Sequence, residues 1–120
     1  MQSKDLRIGN LILINDKVYV CVSGTIREIA YEELSPKKIN EWKPIVLNDN
    51  WLKNFGAKKF NHAFLIDRFR LIQRPEYGFY QVVDKETNVY FSKVEFLHQL
   101  QNLYFALTGE ELELKSESKP

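Results

Sequence analysis

Two groups of side chains in this sequence have types and spacings from which chemistry follows. The first is basic. Lys58, Lys59, Arg68, Arg70 and Arg74 fall in one stretch opposed within it only by Asp67. Arg68 and Arg70 are two apart on a predicted strand and so share a face. With Tyr77, Tyr80 and Tyr90 on neighbouring predicted strands they make an arginine and aromatic surface, which suits phosphates and stacked bases. The plainer account has Arg68 and Arg70 on the solvent side of a half-buried strand, with the tyrosines packed under a helix. The second group lies on the strongest helix signal, Phe96 to Gly109. At about 100° per residue, Phe96, Leu97, Leu100, Leu103, Tyr104 and Leu107 fill an arc of roughly 120°. The opposite side collects Glu95, His98, Gln99, Gln101, Asn102, Phe105 and Ala106. Phe105 is out of place on that polar side, so His98, Gln101, Asn102 and Phe105 form a candidate ligand or partner site. Cover by the N-terminal strands or by a second subunit explains the ring equally well.

Catalytic constellations are weaker. Glu95-x-x-His98 sets a carboxylate and an imidazole one helical turn apart, an arrangement able to tune a general base in a small hydrolase. A solvated helix pair is the simpler reading. His62 and His98 are far apart, with no H-x-x-x-H and no cysteine partner, so no metal site and no cofactor is expected. No G-x-S-x-G, phosphate-cradling glycine loop or Cys-His signature occurs, and no catalytic residue is assigned.

These groups must be positioned by the surrounding elements. Leu11-Ile12-Leu13-Ile14, Asn15-Asp16 and Val18 to Val22 read as a hairpin, since Asn and Asp tolerate the positive φ of a tight turn. The first arm is apolar on both faces and is expected to be covered on both. Ser23-Gly24 reads as the next turn and Thr25 to Tyr31 as a third strand, giving an SH3-like bent meander with its bend at Gly9-Asn10. Ser35-Pro36 marks a break that Lys37-Lys38 continues. After an extended Pro44 to Leu47, Asn48 is a good N-cap for a helix ended by Gly56, with Trp51, Leu52 and Phe55 on one face. Strands are predicted at Phe64 to Gln73, Phe79 to Val83 and Val89 to Val94, joined by Arg74 to Gly78 and Asp84 to Asn88. Gly109 ends the long helix in the left-handed conformation.

The fold class is therefore α+β: an N-terminal SH3-like meander, a short helix, then a three-stranded antiparallel meander packed by a C-terminal amphipathic helix. Residues 1–112 are expected to form one domain and 113–120 a polar, disordered tail. Seventeen Lys and Arg against sixteen Asp and Glu give no general pull on nucleic acid or membranes, so any such binding is local. The single cysteine, Cys21, rules out an intramolecular disulfide. With no signal peptide and no apolar run long enough to span a bilayer, the expectation is a cytoplasmic protein without membrane contact.

Three pieces carry a resemblance: Leu6-Arg7-Ile8-Gly9-Asn10-Leu11-Ile12; Pro44-Ile45-Val46-Leu47 with Trp51-Leu52 and Phe55-Gly56; and His98 through Leu112, which reads HQLQNLYFALTGEEL. Together they resemble a family of short proteins encoded by Bacteroides-type bacteria and by their phages and prophages. The resemblance spans about half the chain and implies a small protein of phage or mobile-element type; it brings no activity and no site residues with it. The leading reading is a non-catalytic binding module for a host protein or a small phosphorylated ligand at His98, Gln101, Asn102 and Phe105. The alternatives are a nucleic-acid-binding module using Lys58, Lys59, Arg68 and Arg70, and the Glu95/His98 hydrolase.

Overall fold

The computed structural model describes residues 2–35 and 40–114. Residues 36–39, on which the break at Pro36-Lys37-Lys38 was placed, and residues 115–120 of the expected tail lie outside the described residues. In chain order the elements are a 3-10 turn (Ser3–Asp5), β1 (Leu11–Ile14), β2 (Lys17–Val20), α1 (Ser23–Glu33), β3 (Trp42–Pro44), α2 (Asp49–Asn54), β4 (Lys58–Phe60), β5 (Ala63–Ile66), β6 (Phe69–Arg74), β7 (Phe79–Asp84), β8 (Tyr90–Val94) and α3 (Leu97–Thr108). The fold is α+β, with a three-stranded and a five-stranded antiparallel sheet and a C-terminal helix. The chain forms two compact units. One comprises the described residues up to Val46 with Phe96–Glu111, and the other Leu47–Glu95 with the described residues from Leu112 on. No helix among the described residues is long and apolar enough to cross a membrane.

In the first unit the strand order is β2-β1-β3. Asn15 and Asp16 take φ of +50° and +69°, the tight turn expected from their types, and Ile14 pairs with Lys17 across it. β1 is buried on both faces at its start: Ile12 packs with Cys21 and Ile29, flanked by Leu6, Ile14, Ile26 and Trp42, while Leu11 is buried on the opposite face; Leu13 and Ile14 are half-buried. β2 is exposed along its length. The third strand expected at Thr25 to Tyr31 is instead α1, and Ser23-Gly24 opens that helix. Its apolar core residues, Ile26 and Ile29, are three apart, which is a helical spacing, and the Arg and Glu residues between and beyond them are good helix formers. α3 belongs to this unit and contacts β1, so it does not cluster with the C-terminal strands assigned to it from sequence.

The second unit is a meander with strands in sequential order, β4 to β8. The strand expected at Phe64 to Gln73 is two strands, β5 and β6, turning at Asp67-Arg68 with Asp67 at φ +52°. β4 was not anticipated; Lys58, Lys59 and Phe60 are all exposed, so no burial pattern marks it. α2 follows its capping signals. The Trp51 N–H donates to Asn48 Oδ1 at 2.9 Å, Gly56 sits at φ +90°, and Leu52 and Phe55 are buried. One face of the sheet carries the core: Phe64, Ile66, Phe69, Leu71, Tyr80, Val82, Asp84 and Val94 are all buried. α2 is tied to that face by Asp49, whose Oδ1 accepts from the Tyr80 hydroxyl at 2.8 Å and from Gln73 Nε2 at 3.1 Å.

Candidate functional site

The α3 residues proposed from sequence are brought together, but not as an open patch. His98 and Gln101 are only 4% and 3% exposed, Asn102 is half-buried and Phe105 is 38% exposed. The N-terminal segment lies across them. Gln101 Oε1 accepts from the Leu11 N–H at 2.9 Å, and Gln101 Nε2 donates to the Gly9 carbonyl at 3.3 Å. Asn102 Oδ1 accepts from Asn10 Nδ2 at 2.8 Å and from Arg7 Nε at 3.2 Å, while Asn102 Nδ2 donates to the Asp5 carbonyl at 3.0 Å. Arg7 completes the arrangement, with Nη1 at 2.5 Å from Glu111 Oε2 and its guanidinium carbon 4.3 Å from the centre of the Phe105 ring. The polar side of the helix thus faces protein, and the expectation that His98 and Gln101 line a solvent-facing site is overturned. Phe105 is out of place on a polar side because an arginine lies over it. The leucine stripe fades toward its end, with Leu97 and Leu100 buried and Leu107 exposed.

His98 also loses the setting the hydrolase reading required. Its ring stacks on Phe96 at 6.1 Å with 9° between planes, and its buried Nδ1 has no hydrogen-bond partner. Burial holds its pKa below the ordinary histidine value, with Asp5 pulling the other way.

The basic candidates separate by strand parity. Lys59 projects from the core face of β4 and pairs with Asp49 at 3.7 Å. Arg68 sits in the β5–β6 turn, its Nη2 2.9 Å from Asp84 Oδ2. Asp84 is buried and accepts at Oδ1 from the Glu86 and Thr87 N–H groups at 2.9 and 3.1 Å. Those bonds and Arg68 lower its pKa to about 2. Arg68 and Arg70 therefore do not share a strand, as the sequence spacing suggested, and Arg68 is structural.

Lys58 and Arg70 remain together on the other face. Cross-strand partners run Lys58, Leu65, Arg70, Val83, Tyr90 in one row, and Phe60, Ala63, Ile72, Gln81, Lys93 in the next; Arg74 pairs with Phe79 beyond them. Opposed residues in an antiparallel ladder point the same way. The face therefore presents Lys58, Arg70, Arg74 and Lys93 among Phe60, Phe79 and Tyr90. The one carboxylate in the five strands, Asp84, lies on the core face opposite Phe69; Asp67, Glu76 and Glu86 lie in the turns. Tyr90 and Phe60 are exposed, and Tyr77, exposed in the β6–β7 turn, stacks on Phe79 at 5.6 Å with 15° between planes. Lys93 Nζ stands 5.0 Å from the centre of Phe79. Arg74 Nε donates to Gln81 Oε1 at 2.9 Å, and Arg70 Nη2 donates to Asn88 Oδ1 and the Lys85 carbonyl. Sequence reasoning named Arg74, Tyr77 and Tyr90 beside this set but missed Lys93, Phe60 and Phe79. Tyr80, grouped with them, turns to the core, where burial and Asp49 raise its pKa.

Comparison with protein-family models, with curated proteins and with solved structures found no match to the chain.

Proposed function

We propose that the protein is a binding module that takes nucleic acid on the open face of its five-stranded sheet. The observation that carries this reading is the segregation of charge by strand parity: four cations and several exposed rings on one side, the only strand carboxylate on the other. A chain of net charge +1 has little long-range field, so the binding is local and short-ranged. Phosphates meet Lys58, Arg70, Arg74 and Lys93, and the rings supply stacking surface for bases. A nucleic-acid role suits the phage or mobile-element type implied by the sequence resemblance; of the basic stretch Lys58, Arg70 and Arg74 carry it, joined by Lys93, while Lys59 and Arg68 do not. Salt titration tests it. Neutralising about four phosphates of a flexible strand gives a slope of log K on log salt near −3. Arg70→Gln with Lys93→Gln should reduce that slope by about half. An affinity indifferent to salt would refute the reading.

A further inference from the structure

Taking the open face as a nucleic-acid surface, we infer that its substrate is a single strand, with bases on the Tyr77–Phe79 pair and on Tyr90 and the phosphates running between them along Lys93, Arg70 and Arg74. The inference rests on the reading above and adds the strand state. Shape supports it first. Five strands span about 19 Å, wider than the roughly 12 Å major groove, so the flat of this sheet does not fit an undistorted major groove to reach base edges. A duplex would touch only its cations. The rings then have no role, because a duplex keeps its base faces stacked on one another. A single strand offers those faces.

The placement of rings and cations fits the same occupant. Phe79 and Val83 are four residues apart on β7, and Val83 pairs with Tyr90 on β8, so the two ring positions stand about 14 Å apart across the face. Lys93 lies on β8 between those rows, and Arg74 and Arg70 flank its ends on β6. A strand of roughly four nucleotides, at the small end for single-strand grooves, covers this distance. Recognition is tolerant of sequence, since every base has a face to stack and the amide of Gln81, the polar side chain best placed to read a base, already accepts from Arg74.

The test uses the full chain with labelled twelve-nucleotide mixed-sequence probes of single-stranded RNA, single-stranded DNA and duplex DNA, followed by fluorescence anisotropy at fixed salt. Single strands of one or both sugars should bind at least about 10-fold tighter than the duplex. Tyr77→Ala and Tyr90→Leu, both at exposed positions, should weaken single-strand binding about 10-fold each and leave the duplex affinity unchanged. Equal affinity for duplex and single strand, with the tyrosine variants silent and Arg70→Gln still weakening both, would overturn the single-strand assignment and keep the nucleic-acid reading. Absence of binding to all three probes would overturn both.

Discussion

His98 shows how one buried side chain sets a pH limit. The folded chain holds the ring against Phe96 with Nδ1 unpartnered, so protonation is resisted there and its pKa falls below the unfolded value near 6.5. The unfolded chain binds the proton more readily, so stability is complete above about pH 6.5 and declines as pH drops below it. Urea midpoints measured at pH 7.5 and 5.5 should fall in the wild type and fall less in His98→Phe. At this scale the sequence was legible at several positions where backbone conformation dictates residue type: Asn15-Asp16, Asn48 and Gly109 stand where expected, because few residues serve a left-handed turn or an N-cap, whereas Asp67 at φ +52° falls inside a run expected to be one strand. It was not legible for His98 and Gln101. A helical wheel separates polar from apolar residues but does not say that a second segment, Asp5 to Leu11, will satisfy the polar side.

Among the elements, α1 and the β5–β6 turn are where periodicity misled. The segment Thr25 to Tyr31, expected as a strand, is helical, and its core residues Ile26 and Ile29 step by three. Gly24 offers a direct check. A Cβ added there meets nothing within 4 Å, and its φ is not left-handed, so Gly24→Ala should raise stability by about 0.5 kcal/mol through helix propensity and lost unfolded-state freedom. Thermal denaturation reads the sign. The turn at Asp67-Arg68 is blurred in the sequence because Leu65 and Ile72 are apolar too; burial reveals it, running 64 and 66, then 69 and 71, a change of phase that a continuous strand forbids. Asp84 fastens this end of the sheet, joining Arg68 of one turn to the Glu86 and Thr87 amides of the next. Its folded pKa of about 2 lies below the unfolded value, so its contribution is present above pH 4 and disappears as pH falls through about 2. Asp84→Asn should lower the melting temperature at pH 7 and flatten the loss of stability between pH 4 and 2.

For the whole molecule, what matters is where charge sits. Lys58 and Lys59 are neighbours whose neutralisation changes net charge equally, yet they point to opposite faces of the sheet. Lys58→Gln should weaken nucleic-acid binding several-fold and lower the salt slope by about 0.7, while Lys59→Gln should leave both unchanged. Equal effects would mean that overall charge governs binding. A further consequence follows from the single extra residue in β8, where Val82 pairs with Ser92 but Val83 pairs with Tyr90. Phe91, half-buried, meets the buried Phe69 at 5.8 Å while Tyr90 stays outside. Neighbours on a regular strand alternate, so with Ser92 on the core side Phe91 would face out and Tyr90 in; the one extra residue reverses that assignment. Deleting Phe91 would restore even parity and strip a half-buried ring from beside Phe69, linking the packing on one side of the sheet to the display on the other through one residue.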